Sequence, residues 1–256
     1  MADIELTARI HGGVAGIDAG DWDRLAGNDN PFVSHAFLSA MEDSGSVGPG
    51  TGWQAAPITI ADEAGEIHAA MPAYLKSHSR GEFVFDQGWA DAYEHAGGRY
   101  YPKLQIAAPF TPATGPRLLF QDEAFAAPLL NAAEQVCHEH GLSGAHATFL
   151  SPDQVPLFER AGWLIRSDLQ FHWENDGFKD FDAFLDTLAS RKRKNLRKER
   201  RRVQEQGLTI TRHQGGQISA SDWAFFYQCY ASTYLKRGQL PYLNEAFFST
   251  VGERLA

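Results

Sequence analysis

Apolar positions recur along this chain with two periods, and the change of period divides it into strands and helices before any other property is weighed. Weak alternation over residues 4–10 predicts a strand. Residues 21–26 and 34–44 read as helices, the second from Phe37, Leu38 and Met41 at helical spacing. SGSVGPGTGW (44–53) is a Gly-rich loop. Two apolar runs flank Asp62-Glu63-Ala64-Gly65 in APITIADEAGEIHAAMPAYLK and predict a hairpin. LQIAAPF and PRLLF are strand candidates parted by the turn-forming TPATG. A helix follows over 123–140, with Phe125, Leu129, Leu130, Ala133, Val136 and Cys137 on one face and Gly141 placed to end it. HATFL is a short strand. SPDQVPLFERAGW predicts a helix with Ser151 at its N-cap and Pro152 at its first position. LIRSDLQFHW reads as another strand, and NDG at 175–177 breaks the pattern. A domain boundary is placed there, giving domains at 1–175 and 176–256.

Beyond the break, Phe181, Phe184, Leu185, Leu188, Leu196 and Val203 trace one apolar stripe and predict a single long helix that Gly207 ends. LTITRH is a strand. Residues 221–236 form a helix with an aromatic face of Trp223, Phe226, Tyr227, Tyr230 and Tyr234, read as core. Asn244 caps a final helix, with Phe247, Phe248, Val251 and Leu255 on one apolar face. That helix reaches the end of the sequence without a stop signal. The expectation is a fragment of a longer protein, its last apolar face left exposed or buried by oligomerisation.

Composition adds little to this picture: 256 residues, 43% hydrophobic and 21% charged, suit a soluble globular chain. No apolar run is long enough for a membrane span. MADIELTARI carries acids where a signal peptide carries bases, and the two cysteines, Cys137 and Cys229, sit in no motif. A cytoplasmic location without disulfides is expected. His138 and His140 of CHEH lie two apart on a helix, so they point to different sides and make no metal site. No metal is expected, and no nucleophile elbow, phosphate loop or dinucleotide fingerprint appears.

Charge changes the picture more. The net charge is -9, yet residues 191–202 hold nine Lys or Arg and one Glu, leaving 14 basic against 31 acidic residues elsewhere. A solvated helix face normally mixes signs to limit repulsion along the helix. SRKRKNLRKERRRV does not, so an anionic ligand is favoured over a plain solvated face. Arg191, Lys192, Arg193, Lys194 and Arg197, nearest the apolar half of the helix, are the candidates for a bound phosphate, with Asn195 beside them. Arg200, Arg201 and Arg202 read as solvent-facing. The second candidate is FDQGWADAYEHAGGRYYPKL (85–104). Trp89, Tyr93, Tyr100 and Tyr101, with Asp86, Asp91, Glu94, Arg99 and Lys103, either line a pocket for a polar substrate or form an aromatic loop packed on the core. Tyr234, Lys236 and Arg237 stand where the aromatic helix ends, facing a ligand if one binds there.

NPFVSHAFLSAMEDSGS, FVFDQGWADAYEHAGGRYYPKLQIAAPFTPATGPRLL, DLQFHWENDGFKDFDAFLDTLASRKRKNLRKERRRV and YLKRGQLPYLNEAFF together resemble a bacterial family of N-acyltransferases described as FemAB-like, or peptidoglycan biosynthesis/recognition. FERAGW resembles a passage late in GNAT-superfamily domains. The resemblance implies an α+β fold, a GNAT-like mixed sheet flanked by helices, in two GNAT-like domains with the second incomplete. It implies amide formation between an activated acyl or aminoacyl donor and an amine, with a cell-wall precursor as one possible acceptor. The cosubstrate would be acyl-CoA or aminoacyl-tRNA, with nothing tightly bound. Asp86, Asp91, Tyr93 and Glu94 are the acid/base candidates, with no choice among them. RIHGGV, RLAGND and RHQGGQ each miss the GNAT pyrophosphate pattern at its last position, so ordinary CoA binding by the first domain is not expected. The alternative is a non-catalytic module that binds RNA or another phosphate-bearing ligand through the basic helix.

Overall fold

The computed structural model describes residues 5–255, so Ile4 of the first predicted strand and the terminal Ala256 lie outside the described residues. In chain order the elements are β1 (Leu6–Ile10), α1 (Ala19–Ala26), α2 (His35–Asp43), β2 (Trp53–Ala55), β3 (Ile58–Asp62), β4 (Ile67–Met71), β5 (Ala73–Lys76), α3 (Gln87–His95), β6 (Lys103–Ile106), β7 (Leu119–Phe120), α4 (Ala126–Glu139), β8 (Ala145–Ala147), α5 (Val155–Arg160), α6 (Phe181–Asp186), α7 (Ser190–Glu205), α8 (Ala220–Leu235) and α9 (Glu245–Arg254). The result is a mixed α+β protein with two four-stranded sheets flanked by helices. Among the described residues no helix is long and apolar enough to cross a membrane.

One sheet runs β1-β3-β4-β7, all antiparallel; the other runs β2-β5-β6-β8, with only β6 and β8 parallel. Prolines divide them. The chain passes from β2 to β3 through Pro57 and from β4 to β5 through Pro72, and proline has no N–H to give a ladder. Their carbonyls still accept, from His11 at 2.9 Å and from Ala107 at 3.1 Å, so the strands bend there without leaving the sheets. Alternation along each strand then sorts residues to two cores. Ile58, Ile60, Ala69, Met71, Leu104 and Ile106 pack with α4 and α5 on one side. Ala70, Tyr74 and Trp53 pack with α1, α2 and α9 on the other.

The described residues fall into two compact units, one joining the chain up to 165 with residues from 214 onward, the other spanning 166–213. The boundary read at 175 lies inside the second unit. In the first unit, Asn244 caps α9 as expected, its Oδ1 accepting the Phe247 N–H at 3.0 Å. The apolar face of α9 is largely covered, contrary to expectation: Phe247 and Phe248 are buried against α2 and α8, Val251 is half-buried, and Leu255 stays exposed.

Three other expectations change. The helix read from Ser151 begins at Val155, because Gln154 is committed elsewhere: its Oε1 accepts the N–H groups of Arg117 and Leu118. LIRSDLQFHW and LTITRH join no ladder among the described residues, so their alternation reports amphipathic character rather than pairing. The long helix of the second unit is two helices, interrupted at 187–189. Thr187 turns its hydroxyl back to the Phe184 carbonyl at 2.7 Å, and Ala189 is extended. The break lets α6 fold back beside α7. Arg197 then reaches Asp182 at 3.1 Å, whereas fifteen residues of straight helix would separate them by about 22 Å.

Candidate functional site

The second sheet presents a polar face where most strands present apolar ones. Cross-strand register places Trp53 beside Lys76 and Lys76 beside Lys103, with Tyr74, Gln105 and His146 in the next row. Two lysines directly opposite each other on one sheet face repel. Glu82 resolves the conflict by lying between them, with Oε2 2.8 Å from Lys103 and Oε1 3.9 Å from Lys76. Lys103 also donates to Asp86 at 2.6 Å and to Ser79 Oγ at 3.0 Å. Tyr100 donates to the same Asp86 oxygen at 2.9 Å, and the Tyr101 hydroxyl meets Ser79 Oγ at 2.7 Å. The Lys76 ammonium sits 3.6 Å over the Trp53 ring. Four charged side chains are thus buried together, all with under a tenth of their surface exposed.

Electrostatics follow from this burial. Desolvation is the largest influence on Lys76 and brings it down to about 7, with Glu82 opposing. The same desolvation raises Glu82 against the pull of Lys103. Asp86 feels burial most, but hydrogen bonds from Lys103, Ser79 and Tyr100 outweigh it and hold the carboxyl below its usual value. Burial, then Asp86, pushes the Tyr100 hydroxyl well up. His146 is lowered to about 4 by burial first and the Lys103 charge second. Glu82 Oε1, Asp86 Oδ1 and Gln105 Oε1 are buried without a hydrogen-bond partner. Such orphaned acceptors are uncommon in folded proteins and mark unspent polar capacity.

Backbone strain gathers around the same face. Phe110 follows β6, Phe149 follows β8 and Phe83 adjoins Glu82, and each has φ of 56°. A bulky side chain in the left-handed region costs on the order of 1–2 kcal/mol, and such residues cluster where function constrains the chain. The 3-10 turn Glu123–Phe125 that leads into α4, the long helix after β6, carries Asp122 at its N-cap and Glu123, and the Asp122 carboxylate takes the Ala124 N–H. Two carboxylates therefore stand just ahead of the helix end that would otherwise favour an anion. Arg9 and Arg24, from two near-miss loops, lie in β1 and α1.

Of the residues singled out in the sequence, Asp86, Tyr100, Tyr101 and Lys103 come together in this cluster. Trp89, Asp91, Tyr93, Glu94 and Arg99 do not converge with them. They are exposed on and just after α3, whose first turn Asp86 precedes, although the Tyr93 ring does meet Tyr100 edge-on at 6.2 Å. Tyr234 is half-buried in an aromatic row with Tyr230 and Tyr242, and Lys236 and Arg237 are exposed beyond it. Lys76, Ser79, Glu82, Gln105 and His146 were missed. The available signal was charge inside apolar strand patterns, Lys76 and Lys103, and the four-residue step from Glu82 to Asp86.

In the second unit the basic run divides by face. Arg193 pairs with Asp186 at 2.9 Å, Arg197 with Asp182 and Asp186, and Arg200 lies 4.4 Å over the Phe181 ring. Arg193 and Arg197, read as phosphate ligands, are thus already engaged with carboxylates. Arg200 is not simply solvent-facing. Arg191, Lys192, Lys194, Lys198, Arg201 and Arg202 are exposed with no carboxylate within ion-pair distance among the described residues, and Asn195 is exposed beside them.

Comparison with known proteins adds a family. Residues 13–256 match the family pattern described as FemAB-like, peptidoglycan biosynthesis/recognition. No curated protein matches the chain. Among solved structures, glucosamine-6-phosphate N-acetyltransferase from Arabidopsis thaliana aligns with 67% of this chain and 99% of its own, at 11% identity and a TM-score of 0.38. An acetyltransferase from Trypanosoma brucei aligns over 67% and 100%, at 15% identity and a TM-score of 0.36.

Proposed function

The chain belongs to the FemAB-like peptidoglycan biosynthesis/recognition family, and from that membership we propose that it is an N-acyltransferase joining an activated acyl or aminoacyl donor to the amine of a cell-wall precursor. In such a transfer the amine nitrogen attacks the acyl carbonyl and a carbon–nitrogen bond forms. The donor's sulfur or ribose oxygen then leaves with a proton taken from the amine. Positioning, a base and donors for the oxyanion supply most of the catalysis.

The observation that carries the site assignment is the buried Lys76–Glu82–Lys103–Asp86 cluster, which fixes the start of α3 against the polar sheet face. Asp86 and Tyr100 are consumed by that anchoring. Acid/base work then falls to the groups α3 presents outward: Asp91, Tyr93 and Glu94. Trp89, Arg99 and the half-buried Tyr101 contribute the acceptor surface beside them. The carboxylates of Asp122 and Glu123, just ahead of α4, disfavour donor phosphates at that helix.

The test is a turnover assay with the purified chain, using panels of acyl-CoAs and aminoacyl-tRNAs with nucleotide-linked wall precursors as acceptors. Amide formation is expected from one donor class. Removing the base, through Asp91→Asn, Tyr93→Phe or Glu94→Gln, should cost about 100-fold or more in turnover. Absence of transfer from every donor, or full turnover in all three variants, would sink the proposal.

A further inference from the structure

The second unit carries two features that acyl transfer leaves unused. Residues 166–213 have a net charge of +4 in a chain of -9, and the excess lies on one side of α7. Along that side Arg191, Lys194, Lys198 and Arg201 follow at steps of three and four residues, with Arg202 alongside. They form a cationic stripe about 15 Å long. On the inner face Arg193 and Arg197 pair with Asp182 and Asp186 and Arg200 stacks on the Phe181 ring; the outer face has no carboxylate partner among the described residues. A helix that pairs every inward cation and no outward one holds its repulsion in a place where only an external anion relieves it.

The second feature says what kind of anion. Trp173, Asn175, Phe178, Asp180, Phe181 and Phe184 line a cleft of about 430 Å³. Phe184 is its hub, with the rings of Trp173, Phe178 and Phe181 at 5.9, 5.7 and 5.9 Å. Trp173 is nevertheless 64% exposed, a wide flat ring open to a partner. The cleft adjoins the basic helix through Arg200, which stacks on Phe181. Inorganic polyphosphate would use the stripe and ignore the cleft, and an anionic lipid surface would take exposed rings at a flat interface rather than a base-sized group inside a concave cleft. A flexible strand carrying both phosphates and planar bases uses both, because bases stack on aromatic rings whatever their sequence.

The geometry points to a single-stranded nucleic-acid site on residues 166–213, phosphates on the outer stripe of α7 and a base against Trp173 in the aromatic cleft. Binding here is read without turnover, so failure of this site and failure of the acyl-transfer reading are distinguishable.

The experiment is a fluorescence-anisotropy titration of the whole chain with a labelled twelve-nucleotide oligouridylate, an abasic strand of equal length, a duplex of equal length and phosphatidylglycerol vesicles. The oligouridylate is expected to bind best. With the stripe contacts made, log K should fall by about 3.5 to 4 per tenfold rise in salt, roughly 0.7 per phosphate for five or six phosphates. Replacing Arg191, Lys194, Lys198 and Arg201 by Gln should remove most of that slope. Trp173→Ala should weaken the oligouridylate about five- to 100-fold while leaving the abasic strand unchanged. Thermal melts of each variant separate lost binding from lost fold, and the exposed stripe variant should melt no lower than the parent. Equal binding of abasic strand and oligouridylate, preference for duplex or vesicles, or no binding to any probe would overturn the inference.

Discussion

Lys103 and Arg197 each stand between two carboxylates, at 2.6 and 2.8 Å in one case and 3.1 and 3.9 Å in the other. By contact geometry they are siblings. Their surroundings make them opposites: the Lys103 side chain is 1% exposed and that of Arg197 is 47% exposed. In the sheet, the charges have lost water and hold each other in one arrangement, from which the position of α3 follows. On α7 the charges keep their water, so the pairs only bias the fold of α6 back onto α7 and leave the outer cations free. Burial turns ionic contacts into architecture; exposure leaves them available for a ligand.

The largest expected effect breaks the buried side of this comparison. Lys103→Met removes the shared partner of Asp86 and Glu82 and strands two carboxylates in a site that water does not reach. Breaking a buried pair from one side typically costs about 3–5 kcal/mol. Urea denaturation should show that loss, whereas Lys194→Gln on the outer stripe should stay within about 0.5 kcal/mol. A Lys103→Met chain as stable as its parent would mean the cluster is not what holds this face together.

A second experiment uses protons instead of mutation to address the same face. His146 falls to about 4 in the folded chain, against 6.5 for the free side chain. Between those values the unfolded chain takes a proton that the folded chain refuses. Its contribution is therefore complete above pH 6.5 and is lost as pH drops toward 4, by about 3 kcal/mol in all. His146→Gln should flatten stability against pH in that window. A histidine nuclear-resonance titration showing His146 charging near 6.5 would contradict the burial argument.

How much of this was legible depends on whether the information is local. Helices α1, α2, α4, α8 and α9 were readable because apolar spacing and caps are properties of adjacent residues; Asn244 and Gly141 are instances. The bend at 187–189 was not readable, since its apolar stripe continues in phase and only the Asp182–Arg197 contact shows the return. The buried cluster was half readable. Asp86, Tyr100, Tyr101 and Lys103 lie within one polar aromatic segment, but Lys76 joins them through the β5–β6 register and Glu82 through the loop that covers it. Two lysines 27 positions apart in sequence become neighbours only when strand pairing is known. The apolar face of α9 was misjudged for the same reason, its cover being α2, some two hundred residues earlier.

The smallest expected effect sharpens the exposed side. Arg197→Ala removes two ion pairs with Asp182 and Asp186 that solvent already screens. Exposed pairs contribute about 0.2–1 kcal/mol, and the contribution shrinks as the screening length falls from about 10 Å at 0.1 M salt to about 3 Å at 1 M. The variant should therefore lose a few tenths of a kcal/mol at low salt and nothing measurable at 1 M. The Lys103 variant should keep its deficit at both, because added salt does not reach a buried cluster. A double-mutant cycle with Asp182→Ala, run at the two salt concentrations, isolates the pair itself from the repulsion that Arg197 adds to its helix. If the coupling is large and independent of salt, the α6–α7 contact is as much architecture as the sheet cluster, and the contrast drawn between the two regions fails.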